Sequence, residues 1–197
     1  DGIDIDILKT RIADIKREGR KIKILYVIPD FQNHSGVTMS LDKRKMIIEL
    51  AIKNNYIILE DNPYVLLRFE GEHIPSIQAI ARNEYNNFTN VITVKSFSKI
   101  LGPGLRLGYL MGDSSFVKVI NSWAQKINIH PCGITQRVVA EYMEHLSSQV
   151  EIIKAVYKEK RDLMLDLLSE HMPSVVKWVK PEGGMFIWID LPEELNA

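Results

Sequence analysis

Cysteine is almost missing from this chain: Cys132 is the single one in 197 residues. An internal disulfide and a thiolate metal cage are therefore excluded, and no Cys/His cluster has the spacing of a metal site. Such usage fits an intracellular, cytoplasmic location. Neither sign of charge is in excess, with 25 Lys and Arg against 25 Asp and Glu. Net charge thus gives no reason to expect nucleic acid or an anionic membrane as a partner. Long apolar runs are lacking, which leaves no candidate membrane span, and no basic-then-apolar leader opens the sequence. There is no internal repeat and no low-complexity stretch. The chain opens on Asp1 rather than Met and runs out at Ala197, soon after Pro192-Glu193-Glu194. A piece of a longer protein, cut at both ends, is expected.

What is present is a chain 46% hydrophobic, enough for a sizeable core in one domain or two small ones. Ile5, Leu8, Ile12 and Ile15 have helical spacing over residues 4–18. Ile22 to Ile28 reads as a short buried strand stopped by Pro29, followed by a loop from Asp30 to Gly36. Ser40 can cap a helix running to about Lys53, with Leu41, Ile47, Ile48, Ala51 and Ile52 as its apolar face. Further strands are expected at Tyr56 to Leu59 and Val91 to Val94, with another apolar run at Leu107 to Met111. Helices are expected at 114–127, 135–146 and 149–171, the last with Ile152, Val156, Leu163 and Leu167 on one stripe. Val175 to Val179 and Met185 to Leu191 flank Pro181-Glu182-Gly183-Gly184, a hairpin-like turn. Phe186 and Trp188 alternate as core residues, and Cys132 reads as a small buried one. Strands alternating with helices predict an α/β fold with a mostly parallel sheet. The closing helix and hairpin predict the start of a smaller α+β domain, which divides the chain into 1–148 and 149–197.

Parallel α/β sheets bind ligands beyond the carboxyl ends of their strands. Here one strand leads to Gln32 and Asn33, a second to Asp61 and Tyr64, and a third to Ser96, Ser98 and Lys99. If these strands are neighbours, the groups share one crevice. Arg106 follows across Gly102-Pro103-Gly104, a turn that can fold it back toward the serines. Two hydroxyls and a guanidinium make a phosphate seat. A lysine beside it can form an imine with an aldehyde. A carboxylate can hold a protonated ring nitrogen, and a phenol and an amide can bond a ring oxygen. Aldehyde, phosphate, ring nitrogen and ring oxygen together describe pyridoxal 5′-phosphate.

Four motifs carry a family resemblance, in order and at matching spacing. Ser96-Phe-Ser-Lys-Ile-Leu-Gly-Pro-Gly-Leu-Arg-Leu-Gly-Tyr109 resembles the Schiff-base segment of class I/II aminotransferases of fold type I. Asp61-Asn-Pro-Tyr64 resembles their Asp-x-x-Tyr, and Gln32-Asn-His-Ser-Gly36 their Gln-Asn-Pro-x-Gly loop. Pro181-Glu-Gly-Gly-Met-Phe-Ile-Trp188 resembles the entry into their small domain. His34 departs from the pattern, since the family has proline there.

The resemblance implies a fold-type-I large domain and the following roles. Lys99 is the Schiff-base lysine and later moves a proton, and Asp61 pairs with the ring nitrogen. Tyr64 and Asn33 bond the ring oxygen, and Ser96, Ser98 and Arg106 hold the phosphate. The family's glycine-containing phosphate loop, its stacking aromatic and its substrate-carboxylate arginine fall outside these residues, so the chain alone is expected to be inactive. The motif style is similar to the aminoadipate, aromatic and multisubstrate group, which implies amino-acid and 2-oxo-acid substrates and a homodimer. The alternative is the cofactor-binding effector domain of a MocR/GntR-type transcriptional regulator. Such a protein would touch DNA only through an N-terminal domain not in this sequence. A lyase acting on the same imine is a third reading.

Overall fold

The computed structural model describes residues 2–86 and 89–195. The outermost positions of the two-domain division, Asp1 and Ala197, lie outside them. The described elements are α1 (Ile5–Arg17), β1 (Ile24–Val27), α2 (Leu41–Asn54), β2 (Ile57–Asp61), α3 (Ile77–Glu84) and β3 (Val91–Ser96). Next come β4 (Gly108–Met111), α4 (Ser114–Asn128), α5 (Gly133–Tyr142), α6 (Leu146–His171), β5 (Lys177–Trp178) and β6 (Ile189–Asp190). The first four strands form one sheet in the order β1-β2-β3-β4. β1, β2 and β3 are parallel, and β4 runs antiparallel to β3. The helices α2 and α3 supply the crossovers that parallel neighbours require, whereas the short link from β3 to β4 carries none. The fold is thus α/β with a mostly parallel sheet. No helix among the described residues is long and apolar enough to cross a membrane.

The local chemistry of the helix starts accounts for their positions. Asp4 caps α1 by accepting from Asp6 and Ile7 N–H at 2.9 Å each, and Ser40 caps α2. Asn55 ends α2 in the left-handed conformation. The start of α3 is held from the sheet. The buried carboxylate of Glu60 accepts from Ile77 N–H (2.9 Å), Gln78 N–H (3.2 Å) and Thr93 Oγ1 (2.8 Å). A negative group there satisfies otherwise orphaned N–H donors and complements the helix dipole.

Two apolar cores result. One joins α1, α2 and α3 to one face of the sheet through Ile5, Ile12, Ile47, Ile48, Ala51, Ile58 and Val91, among others. The other lies among the loops that leave the strands. It unites Phe31, Tyr64, Leu67, Phe97 and Ile100 with Val139 of α5 and Val150 of α6, and Met185 and Phe186 pack against it. Between them sits a buried ionic network. Arg44, fully buried, donates to Met39 O (3.1 Å), Pro75 O (3.0 Å), Pro29 O (3.1 Å) and Asp30 Oδ1 (2.8 Å). Asp30 also accepts from Asn62 Nδ2 at 2.9 Å.

The Pro181-to-Gly184 stretch lies between the paired strands β5 and β6, but it is not a free turn. Gly183 bridges to Arg68, and Gly184 N–H donates to Leu67 O at 2.9 Å. A Cβ on Gly184 would lie 2.5 Å from Phe31 Cβ, at a φ of +79°, so only glycine lets this segment close on the core. Arg161 fastens it from α6, donating to Pro181 O at 2.8 Å and to Glu70 Oε1 at 2.7 Å.

Several expectations are corrected. Among the described residues β1 is an edge strand, and Ile24 and Tyr26, which face away from the helices, are exposed. Buried Arg44 joins Ile47, Ile48 and Ala51 on the inner face of α2, while Leu41 and Ile52 are exposed. On α6 the packed positions are Val150, Arg161 and Leu168, and the stripe Ile152, Val156, Leu163 and Leu167 faces outward. Trp188 is exposed, its indole N–H donating to Asp190 Oδ1 at 2.7 Å. Cys132 is exposed in the loop before α5, with its thiol pKa lowered by hydrogen bonds from Thr135. Residues 77–84, for which no helix was expected, form α3.

Two stability measurements follow. Arg44→Ala removes the buried guanidinium and its four hydrogen bonds and leaves Asp30 with Asn62 and the more distant Arg68, whose Nη2 lies 3.6 Å from Asp30 Oδ1. It is expected to cost about 3 kcal/mol in urea unfolding. Tyr56 is buried with no partner for its hydroxyl, and burial pushes its pKa up to about 12. The unfolded phenol ionises near pH 10. Stability is therefore full below about pH 10 and falls as pH rises toward about 12. Tyr56→Phe is expected to flatten that alkaline loss and to add about 1 kcal/mol at neutral pH by removing an unsatisfied group.

Candidate active site

The strand register sorts the polar side chains. Tyr26 pairs with Leu59, Glu60 with Thr93, and Asp61 with Val94. Partners share a face and neighbours along a strand alternate. Tyr26, Asp61 and Ser96 therefore lie on one face, while Glu60 and Thr93 lie on the other, under the helices. This alternation splits the adjacent acids of β2. Glu60 serves the fold, and Asp61 is left half-buried on the open face.

On that face the phenol of Tyr26 donates to Asp61 Oδ2 at 2.6 Å. Burial pushes the Tyr26 pKa up to about 12, helped by the hydrogen bond to Asp61 and its negative charge. Asp61 Oδ1 has no hydrogen-bond partner among the described residues. Tyr64 follows in the turn after β2, its ring buried and edge-on to Phe186 at 5.6 Å between centroids. Burial raises the Tyr64 pKa, as does the charge of Asp61. The Nζ of Lys99 stands 6.0 Å from the centre of the Tyr64 ring. Among the described residues no hydrogen bond or ion pair engages this half-buried amine. Lys99, Tyr64 and Asp61 thus form one group, with Ser96 on the same sheet face.

The phosphate-binding set predicted from sequence is assembled only in part. Ser96 Oγ accepts from Ser98 N–H at 3.1 Å and keeps its own hydroxyl proton free to donate outward. Arg106 is exposed in the left-handed conformation at φ +48°, and its Nη1 donates to Pro103 O at 3.3 Å rather than to either serine. It lines a cavity of about 350 Å³ with Asn121, Gln125 and His130. The turn therefore leads Arg106 toward α4.

Asn33 is half-buried at the corner of its loop, and its amide makes no hydrogen bond among the described residues. Gln32 builds that loop: its N–H donates to Val37 O at 2.9 Å, and its carbonyl accepts from Gly36 N–H at 2.8 Å. Its side-chain oxygen accepts from Ser35 Oγ at 2.5 Å. His34 sits at φ +95°. A proline, locked near −65°, could not take this conformation.

The donor set fits a phosphorylated pyridine aldehyde at its reactive end. It offers an unengaged amine, a carboxylate with one open oxygen, a buried phenol and an outward hydroxyl. Tyr26 was not found by sequence reasoning. Its signal was its place on the strand before Asn33, which becomes telling only once β1 is known to pair with β2 in this register.

Comparison with known proteins gives concordant results. The family model for aminotransferase class I and II matches residues 1–197. An aromatic-amino-acid aminotransferase 1 of Thermococcus litoralis is 39% identical over 199 residues, covering 100% of this chain and 46% of that protein. The crystal structure of a kynurenine aminotransferase of Pyrococcus horikoshii, solved with PMP, superposes with a TM-score of 0.92 at 39% identity. That match covers 98% of this chain and 47% of the other. An α-aminoadipate aminotransferase of Thermus thermophilus, complexed with N-(5′-phosphopyridoxyl)-L-leucine, gives a TM-score of 0.91 at 32% identity. It covers 100% of this chain and 49% of that one. The chain spans about half the length of the curated relatives it matches.

The strained loop makes its own prediction. Relief of the positive φ by His34→Gly is expected to stabilise the protein by about 1 kcal/mol, read as a raised denaturation midpoint.

Proposed function

The chain belongs to the aminotransferase class I and II family, and from that premise we propose that the intact protein is a pyridoxal-phosphate-dependent aminotransferase. It would move an amino group from an amino acid to a 2-oxo acid. The observation that carries this reading is the unengaged Lys99 amine 6.0 Å from the Tyr64 ring, with the Asp61 carboxylate on the adjoining strand. The cofactor, when bound, supplies an aldehyde for imine exchange and a protonated ring that takes up negative charge.

In this reading Lys99 Nζ holds the cofactor, and after displacement by the incoming amino group it takes the proton from the substrate Cα. Asp61 presents its open oxygen to the ring nitrogen and keeps the proton there. The Tyr64 hydroxyl and the Asn33 amide bond the ring oxygen. Ser96 and Ser98 hold the phosphate, and Arg106 joins them by giving up a single 3.3 Å bond at the surface. Phe186, edge-on to Tyr64, limits that ring's movement and shields it from water.

The relatives' names support donors in the range of aromatic amino acids, kynurenine and 2-aminoadipate. They favour turnover over a regulator that only senses the cofactor. Residues 1–148 and 149–197 are read as parts of a cofactor-binding domain and a smaller one, with the boundary inside α6. We also read the parent protein as a cytoplasmic homodimer. The apolar side chains left exposed on α4, among them Val119, Trp123 and Ile127, offer a surface for the rest of the parent protein or for a second subunit to cover.

The test uses the intact protein loaded with pyridoxal phosphate, given candidate amino acids and 2-oxoglutarate. Steady glutamate formation over many turnovers is the expected result. Lys99→Ala is expected to lower it by about 10³-fold or more and to abolish borohydride-trapped cofactor. Trapping on another lysine would refute the assignment.

A further inference from the structure

The hydrogen bond between Tyr26 and Asp61 points to a role for a residue outside the family motifs. A carboxylate that must face a ring nitrogen can rotate about its own side-chain bonds. In this site the rotation is stopped from the neighbouring strand. Tyr26 sits opposite Leu59, two positions before Asp61 on the same face, so its phenol reaches across diagonally to Asp61 Oδ2 at 2.6 Å. That length is typical of a hydroxyl donating to an ionised acceptor. One carboxylate oxygen is thereby occupied, and Oδ1 remains open.

We propose that Tyr26 is a positioning residue, whose phenol fixes the Asp61 carboxylate so that Oδ1 is presented to the ring nitrogen of the cofactor. This inference rests on the aminotransferase reading given above. The phenol is suited to the task because it stays protonated. Burial, and then the bond and charge of Asp61, push its pKa up to about 12, so it donates throughout the working range of pH. A neutral donor has a second advantage. It orients the carboxylate without cancelling the negative charge that must stabilise the protonated ring. On the open face the ring makes no polar contact among the described residues beyond the one hydrogen bond of its hydroxyl.

The test is a double-mutant cycle on the intact, cofactor-loaded protein, with Tyr26→Phe, Asp61→Asn and the pair. Tyr26→Phe keeps the ring and removes only the hydroxyl, and a thermal melt verifies that each variant folds. Three quantities are read: the cofactor dissociation constant, the pH midpoint of the bound cofactor's visible band, and kcat against KM. Tyr26→Phe is expected to weaken cofactor binding and to lower kcat by about tenfold each, the worth of one hydrogen bond to a charged group, with KM within about twofold. It is also expected to raise the midpoint, since a less firmly held ring proton withdraws fewer electrons from the imine. In the Asp61→Asn background the same substitution should change none of the three. An unmoved midpoint and affinity in Tyr26→Phe, with Asp61→Asn severely impaired, would overturn the positioning role and leave the site assignment standing. A harmless Asp61→Asn would overturn the ring-nitrogen assignment itself, and this inference with it.

Discussion

The buried pair of Arg44 and Asp30 is the constraint on which the site end of the molecule depends. Arg44 gathers carbonyls of Pro29, Met39 and Pro75 around one guanidinium, and Asp30 in turn receives Asn62. Pro29 and Asp30 open the loop that carries Asn33, and Asn62 immediately follows Asp61. A single charged network therefore sets the distance between two strand exits. A buried ion pair is costly to desolvate and adds little net stability over an apolar substitute. What it supplies here is direction, because each of its hydrogen bonds admits only one backbone path.

The sheet adds a second constraint through alternation. Adjacent acids in β2 are sent to opposite faces, Glu60 to the start of α3 and Asp61 toward Tyr26. A slip of one residue in the β1–β2 register would exchange them, burying the acid meant for chemistry and exposing the one that holds the helix. The apolar interior under α1, α2 and α3 opposes that slip. The fold thus protects the site through packing on the face where the site is not.

Much of this was legible in the residues. The helix start at Ser40 and the strands expected at Tyr56 to Leu59 and Val91 to Val94 follow from capping and short apolar runs, which are local in sequence. The structure carries both strands two residues further, to Asp61 and Ser96, because ladder pairing continues into the polar residues. The Lys99 segment and Asp61-Asn-Pro-Tyr64 carried the cofactor chemistry in their side-chain types alone. Other readings failed for physical reasons. The outward stripe of α6 has the same helical spacing as a packed one, and periodicity cannot say which of two apolar faces meets the core. Arg44 and Arg161 were invisible as interior residues, since charge in a sequence reads as surface until its partners, here Asp30 and Glu70, are seen.

The sequence by itself determined the order of elements apart from α3, the family and the set of groups that suit a phosphorylated aldehyde, because those rest on residue type and local spacing. Tertiary structure alone decided that Tyr26 clasps Asp61, that Arg106 turns to Pro103 O, and that Gly184 closes against Phe31. Each of these depends on strand register or on the packing of segments far apart in the chain. Hydrogen bonds and close contacts act over only a few ångströms, so such pairings exist only after the fold has brought their members together.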